Sequence, residues 1–308
     1  MELRQLRSLV ALAECDFNVT RAAARLHLVQ PAVSQHLRQL EDELGARLIH
    51  RRGRRLMGLT DIGERVLVHA RSTLAGAADI LAIGRDQRGG DSGTLRIATT
   101  HTQARYVLPA ILRAFRAAHP SVEVEIHQGT PRDLPEMLRR DQADLAVCTE
   151  AIGNQPDLEA LPCYRWNRCL VAPAGHPMLE ARPITLELLA CHPLVTYVAG
   201  FTGRTRFSHA FAREGLAPRI VISAADADVI KTYVREGLGI GIIADLAYDR
   251  DVDGDLGVRA LTHLFPAETT RIARRHDKYL RGFHRDFVEL FQRQSAAVAR
   301  GRQVLPMN

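Results

Sequence analysis

The sequence predicts an all-α N-terminal part carrying a winged helix-turn-helix, followed by a C-terminal α/β part. Three observations predict this. Three helical patterns, the last two separated by a tight break, fill the first 45 residues. A glycine-containing arginine loop and a long helical pattern come next. From about residue 94 onward, strand and helix patterns alternate.

Leu3, Leu6, Leu9, Val10 and Ala13 recur at helical spacing and open a first helix. Asn18, with Thr20, can cap a second that runs through Ala22, Ala23 and Leu26. His27-Leu28-Val29 breaks the pattern. A third helix spans Gln30–Leu44, with Pro31 tolerated in its first turn and Gly45 as its stop. Two strand candidates, Arg47–Ile49 and Leu56–Leu59, flank the loop Arg51-Arg52-Gly53-Arg54-Arg55. Thr60 caps a long helix from about Asp61 to Gly84. Along it Leu67, Leu74 and Leu81 fall seven apart, with Ala70 and Ala77 between them. That stripe suits pairing with a second copy, or packing on its own domain. The polar, glycine-rich stretch from Asp86 to Gly93 reads as a hinge.

In the second part Leu95–Thr100, Val122–His127, Leu145–Thr149, Cys169–Ala172, Leu194–Val198, Arg219–Ser223 and Ile240–Ala244 read as strands. Gln103–Ala118, Arg132–Asp141, Thr205–Glu214 and Ala227–Glu236 read as helices between them. Such alternation argues for parallel sheets covered by helices. Arg271–Arg274 is a candidate last strand. Leu280, Phe283, Phe287, Leu290 and Phe291 mark a closing amphipathic helix, and beyond about Ala296 a loose tail is expected.

Formal net charge is +6, and lysine occurs only at Lys231 and Lys278. Residues 1–60 hold ten arginines against six acids, with five of the arginines between Arg47 and Arg55. Such a cluster is a footprint for a polyanion. The five cysteines are scattered and form no C-x-x-C pair, which argues against a zinc site or a disulfide framework. No secretory signal and no apolar run long enough for a bilayer is read, so a cytoplasmic chain with reduced thiols is expected. No Ser-His-Asp or Cys-His arrangement and no metal-ligand spacing is recognisable. Gly237-Leu-Gly-Ile-Gly241 follows a helix and precedes a strand, the reverse of a dinucleotide fingerprint. Asp226 and Asp228 read as acids at a helix N-terminus.

The third helix would enter the major groove by its N-terminal end. Gln30, Gln35 and Arg38 can pair with base edges, Ala32 and Val33 can meet thymine methyls, and Ser34 can hold a phosphate. Arg51, Arg52, Arg54 and Arg55 form a wing for backbone or minor groove. In the second part three strand ends carry neutral donors: Thr99-Thr100-His101-Thr102-Gln103, Thr149-Glu150, and Ala199-Gly200-Phe201-Thr202-Gly203. Strand ends followed by helix N-termini suit a small anion or zwitterion; helix capping is the plainer role for any one threonine.

Arg21-Ala-Ala-Ala-Arg-Leu-His-Leu-Val-Gln-Pro-Ala-Val-Ser34, followed by Gln39-Leu-Glu-Asp-Glu-Leu-Gly45, resembles the signature of LysR-type transcriptional regulators. Thr99–Tyr106, Leu161–Arg168, Phe201–Arg204 and Ala225–Arg235 resemble the CysB-like subfamily, which governs sulfur assimilation, cysteine synthesis and, in sister members, sulfonate use. The resemblance implies a winged helix-turn-helix over 1–60, a linker helix and hinge over 61–93, and a periplasmic-binding-protein-like effector domain over 94–308. Its lobes would span about 94–164 with 269–295, and about 165–268. It also implies a dimer or tetramer, promoter DNA and RNA polymerase as partners, and acetylserine or a sulfate-like anion as effector rather than a cofactor. Thr100, Thr102, Gln103, Thr149 and Thr202 map onto ligand-contacting positions; Trp166 and Tyr164 line the pocket or fill the core. The rival reading is a small-anion-binding or enzymatic domain fused to an interaction module. It requires the arginine wing to be idle, which a salt titration of DNA affinity would reveal.

Overall fold

The computed structural model describes residues 1–53, 55–87, 92–201 and 203–302. Arg54, Thr202 and much of the expected hinge therefore lie outside the described residues. The chain divides into two units, Met1–Gly89 and Gly90–Asn308.

In the first unit α1 (Leu3–Glu14), α2 (Val19–Arg25) and α3 (Gln30–Leu44) share one apolar core. Asn18 caps α2 by accepting from the Arg21 N–H at 3.1 Å, and Gly45 ends α3 at φ +62°. The wing is a hairpin of β1 (Ile49–Arg52) and β2 (Arg55–Leu59). Its arginines therefore lie mostly in paired strands rather than in a loop, because the turn needs little more than Gly53, at φ +62°. Then α4 (Asp61–Gln87) begins with Thr60 accepting from the Gly63 N–H at 3.0 Å. A Cβ on Gly63 would lie 2.0 Å from the Leu48 carbonyl oxygen, so only glycine lets the helix start this close to the wing.

Helix α4 departs from the sequence expectation in one respect. It is long and apolar enough to cross a membrane by length and composition, with mean hydropathy 1.4 over its most apolar stretch. Leu67 and Ala70 join the helical core, whereas Val68, Ile80, Leu81 and Ile83 are exposed within this chain. The leucine stripe thus serves its own domain at one end only.

The second unit holds two five-stranded sheets. In the first lobe β3 (Gly93–Thr99), β4 (Val122–Gln128) and β5 (Leu145–Cys148) are parallel, and β12 (Glu268–Arg275) and β6 (Leu158–Trp166) extend the sheet antiparallel. In the second, β8 (Leu194–Tyr197), β9 (Ile220–Ala224) and β10 (Ile240–Ala244) are parallel, while β7 (Arg168–Pro173) and β11 (Leu256–Ala260) run antiparallel. The sheets are mixed, not parallel throughout as the alternation suggested. The extra antiparallel strands are where the chain passes between lobes, from β6 to β7 and from β11 to β12.

Helices α5 (His101–Tyr106), α6 (Leu108–Ala118) and α7 (Asp133–Arg139) belong to the first lobe, and α8 (Leu186–Ala190), α9 (Arg204–Arg213) and α10 (Ala227–Arg235) to the second. One helix was expected over Gln103–Ala118; Pro109 has no N–H for the Arg105 carbonyl, and the chain restarts at Val107. The last helix, α11 (Gly282–Arg302), continues past Ala296, where a loose tail was expected. Ala299 is fully buried and Arg302 bonds Asp249 at 3.0 Å, which fixes that last turn.

Gly237-Leu-Gly-Ile-Gly241 leads from α10 into β10. A Cβ on Gly241 would lie 2.6 Å from Val171 and 2.9 Å from Val234, so this glycine serves close helix-on-sheet packing.

Candidate DNA interface and ligand cleft

Helix α3 presents Gln30, Gln35 and Arg38 to solvent, with Ala32 and Ser34 half-buried beside them. The Gln30 amide donates to the Thr20 hydroxyl, which ties the start of α3 to α2. Val33 corrects the sequence expectation. It is fully buried in the helical core with Leu37 and Leu40, on the face opposite the reading residues. It cannot meet a thymine methyl; its place in the 3.6-residue period puts it inside.

The wing is organised by a residue that the sequence reading did not single out. Glu41 of α3 is buried, and its Oε1 accepts from the Leu48 N–H at 2.9 Å and the Ile49 N–H at 3.2 Å. Its Oε2 accepts from Arg51 at 2.8 Å. Arg51, expected at phosphate, is thus already engaged in holding the hairpin to α3. Arg52 and Arg55 are exposed. Arg38, Arg47 and Arg51 border one hollow of about 480 Å³ at the end of α3, together with the acids Glu41 and Asp42.

In the second unit, the strand ends converge as the pattern suggested. Thr100 is the N-cap of α5, yet its hydroxyl makes no capping bond. Thr99 instead serves the sheet, donating to the Val147 carbonyl at 2.9 Å. Gln103 accepts from the Tyr164 hydroxyl. Tyr164 also meets Thr270, whose hydroxyl lies 3.1 Å from that of Thr149. Trp166 Nε1 donates to the Thr149 hydroxyl at 3.1 Å. One polar chain, Gln103–Tyr164–Thr270–Thr149–Trp166, therefore joins three of the expected ligand residues. Trp166 is a core residue and a member of this chain at once, being 2 % exposed. Thr102 meets the Tyr197 hydroxyl from the other lobe. Thr100, Thr102 and Gln103 are all buried.

An interlobe cleft of about 430 Å³, which Thr149 joins to this polar chain, is lined by Thr149 and Glu150 on one side and Gly203, Arg204 and Arg206 on the other. Gly203 is gripped from both faces. Its N–H donates to the Glu150 carboxylate, and its carbonyl accepts from Arg168 at 2.7 Å. Arg168 pairs with Glu268 at 3.0 Å, both side chains being buried. Gly203 has φ +69°, and a Cβ there would lie 1.9 Å from Arg168 Nη2. Burial pushes the Glu150 carboxyl up to about 7, and Glu268 adds to the rise; the Gly203 N–H and Arg168 oppose it.

A second link between lobes lies at α10. Asp226 caps that helix through the Val229 N–H at 2.9 Å, as its position suggested. Asp228 reaches across to the Tyr106 hydroxyl at 2.7 Å and to Arg105 at 2.8 Å. The buried Lys231 ammonium donates to Tyr106 at 3.1 Å and to Asp253 at 2.7 Å.

Residues 3–64 match the family described as "Bacterial regulatory helix-turn-helix protein, lysR family", and residues 88–296 match "LysR substrate binding domain". The chain belongs to the LysR family of transcription regulators. It is 44 % identical over 94 % of its length to "HTH-type transcriptional regulator CysB" of Burkholderia cenocepacia, covering 93 % of that protein. It is 42 % identical over 94 % of its length to "HTH-type transcriptional regulator cbl" of Escherichia coli, covering 92 % of it. Among solved structures, full-length CbnR complexed with its target DNA matches at 25 % identity and a TM-score of 0.65, over 96 % of this chain and 100 % of that one. LysR regulators bind promoter DNA, form oligomers and carry a small-molecule effector domain; this chain is a DNA-binding regulator of that kind and not an enzyme.

Two LysR-chain features escaped sequence reasoning for a common reason. Both act through residues outside their own element, Glu41 through Leu48 at the wing, 7 positions on, and Thr270 through Thr149, 121 positions back, and nothing in their immediate neighbours announces that. All five cysteines are unpaired; Cys15, Cys148 and Cys169 are buried, Cys163 is half-buried and Cys191 is exposed, and burial pushes Cys148 up to about 12 and Cys163 to about 11. A reactive thiolate requires the opposite shift.

Proposed function

We propose that this LysR-type regulator controls sulfur-assimilation and cysteine-synthesis genes, and that its interlobe cleft binds acetylserine or a sulfate-like anion. The observation that carries the ligand reading is the polar chain from Gln103 to Trp166, which opens onto the cleft at Thr149. Hydroxyls and an amide suit a small polar ligand, while Arg204 and Arg206 favour a negatively charged one. The similarity to CysB supports the sulfur assignment. Thr100, Thr102, Gln103, Thr149 and Thr202 contact the ligand, and Trp166 positions Thr149.

On DNA, Gln30, Gln35 and Arg38 read base edges, Ala32 meets apolar groups, and Ser34, Arg52, Arg54 and Arg55 hold phosphates or minor groove. Subunits pair through α4, assemble as a dimer of dimers in the cytoplasm, and engage RNA polymerase. Ligand in the cleft resets the lobes and thereby the arrangement of subunits on the promoter.

The test is a footprint upstream of sulfur-assimilation genes with and without acetylserine or sulfate. A protected region whose extent changes with either ligand is the expected result. A footprint indifferent to both would remove the sulfur assignment. The similarity to the regulator cbl favours one second reading, a sister regulator of sulfonate use. Protection confined to sulfonate-use promoters would establish that reading instead.

A further inference from the structure

Glu150 stands where β5 delivers the chain into the cleft, next to Thr149. Its carboxylate reaches across the cleft and accepts the Gly203 N–H, just before α9. That N–H sits at the positive end of a ten-residue helix and points into the cleft. It is a donor that an anion entering the cleft would use. Here it is already taken by a carboxylate belonging to the protein.

The surroundings make this placement more than a surface contact. On β12, Glu268 is satisfied by Arg168 of β7 at 3.0 Å and by Arg206 of α9 at 2.9 Å. Arg204 of α9 turns away to the Tyr197 carbonyl at 3.0 Å, and Arg271 of β12 bonds the Thr269 carbonyl at 3.3 Å. Cys148, on β5, is a neutral thiol held high by burial. Arg204, Arg206 and Arg271 line the cleft but bond acceptors other than Glu150, which relies mainly on one backbone N–H.

We propose that Glu150 is an internal competitor for the effector anion: it holds the Gly203 N–H in place of ligand, and an anion binds only as Glu150 is displaced and takes up a proton. This deepens the ligand reading of the cleft and rests on it. Two negative groups cannot share one donor, since each charge would oppose the other. When the anion arrives, the Glu150 carboxylate accepts one proton from solvent and becomes a neutral acid. Burial already holds that carboxyl near 7. Below that pH the acid form is ready and binding costs no proton. Above it, each pH unit removes up to a factor of about ten from the apparent affinity.

Sulfate is the suitable probe because it stays a dianion throughout this range. Trp166 is the only tryptophan in the chain and touches Thr149, so its fluorescence reports the site. The full chain is titrated with sodium sulfate at pH 6 and pH 8, at constant ionic strength, by fluorescence and calorimetry. Wild type is expected to bind about tenfold more weakly at pH 8 than at pH 6. Glu150→Gln keeps the shape and an acceptor for Gly203, and is expected to bind equally at both pH values, at least as tightly as wild type at pH 6. The wild-type pH profile stands without the variant, should that variant fail to fold. Equal wild-type affinity at both pH values overturns the inference and leaves the ligand reading standing. Absence of a response to sulfate in both proteins, with acetylserine equally silent, overturns the ligand reading and this inference with it.

Discussion

At the scale of single residues, Glu41 shows how one side chain couples two functions. It lies one helical turn beyond Arg38, a reading residue, and it fastens the wing through two backbone N–H groups and Arg51. Replacing it leaves those buried donors without an acceptor, which costs about 1–3 kcal/mol. We expect Glu41→Ala to lower the melting temperature of the N-terminal unit and to weaken DNA binding at low salt, as the wing loses its fixed position. Unchanged melting with unchanged DNA affinity would show that the hairpin is held by its own pairing. The same scale explains why the sequence misplaced Val33. Short side chains on both sides of it made the helix start look uniformly accessible, but the period from Val33 to Leu37 and Leu40 assigns it to the core. Glu150 was hidden for another reason: beside Thr149 in sequence, nothing distinguished it from a solvated acid. Its partner at Gly203 lies 53 positions away.

At the scale of elements, helices were legible wherever caps and breakers marked them. Asn18, Pro31, Gly45 and Thr60 bound their elements where the structure has them. Strands β6 and β11 were not legible. Pro162 lies inside β6, and proline in a strand ordinarily argues against one; the strand survives because β6 is at the sheet edge, with an irregularity opposite Thr270 and Arg271. Strand β11 is short and contains Gly257, which makes room for the Leu179 side chain. Helix α4 was legible in position, but only half of its apolar stripe found a partner in its own chain. Ile80 and Leu81 are 71 % and 58 % exposed. The double variant Ile80→Glu, Leu81→Glu is expected to melt as wild type does but to sediment as a monomer and to bind a two-half-site promoter more weakly. A variant that still sediments as wild type would place subunit pairing on another surface.

At the scale of the whole chain, two buried carboxyls near the passage between lobes set a pH dependence. Burial raises Glu150 from an ordinary 4.5 and Asp245 from an ordinary 3.8, each to about 7. The folded state therefore holds these protons more tightly than the unfolded chain does. Their contribution is complete below pH 4 and falls as pH rises towards about 7, beyond which it is gone. Each group has a limiting slope of about 1.4 kcal/mol per pH unit. Unfolding by urea at pH 5.5 and pH 8 should show the chain more stable at the lower pH, with Glu150→Gln shrinking the difference. An equal difference in that variant would assign the effect elsewhere. The ligand cleft itself was largely legible from its strand ends, since α/β sheets gather such ends in one place. What could not be read was the second half of the polar chain, because Thr270 arrives on an antiparallel strand from the far end of the sequence.

The passage between the lobes also fixes how the molecule is put together. Trp166, the last residue of β6, faces Glu268, the first residue of β12, as an antiparallel pair. The chain leaves the first lobe and returns to it at adjacent points, as in a hairpin whose tip has been replaced by the whole second lobe. A protein engineer could remove residues 167–267 and close the gap with a tight turn, leaving the five-stranded sheet of the first lobe unbroken. The second lobe is in effect carried on a two-strand stalk, and the polar bonds that tie it to the first lobe, such as Asp228 to Tyr106 and Glu150 to Gly203, involve side chains and no sheet pairing.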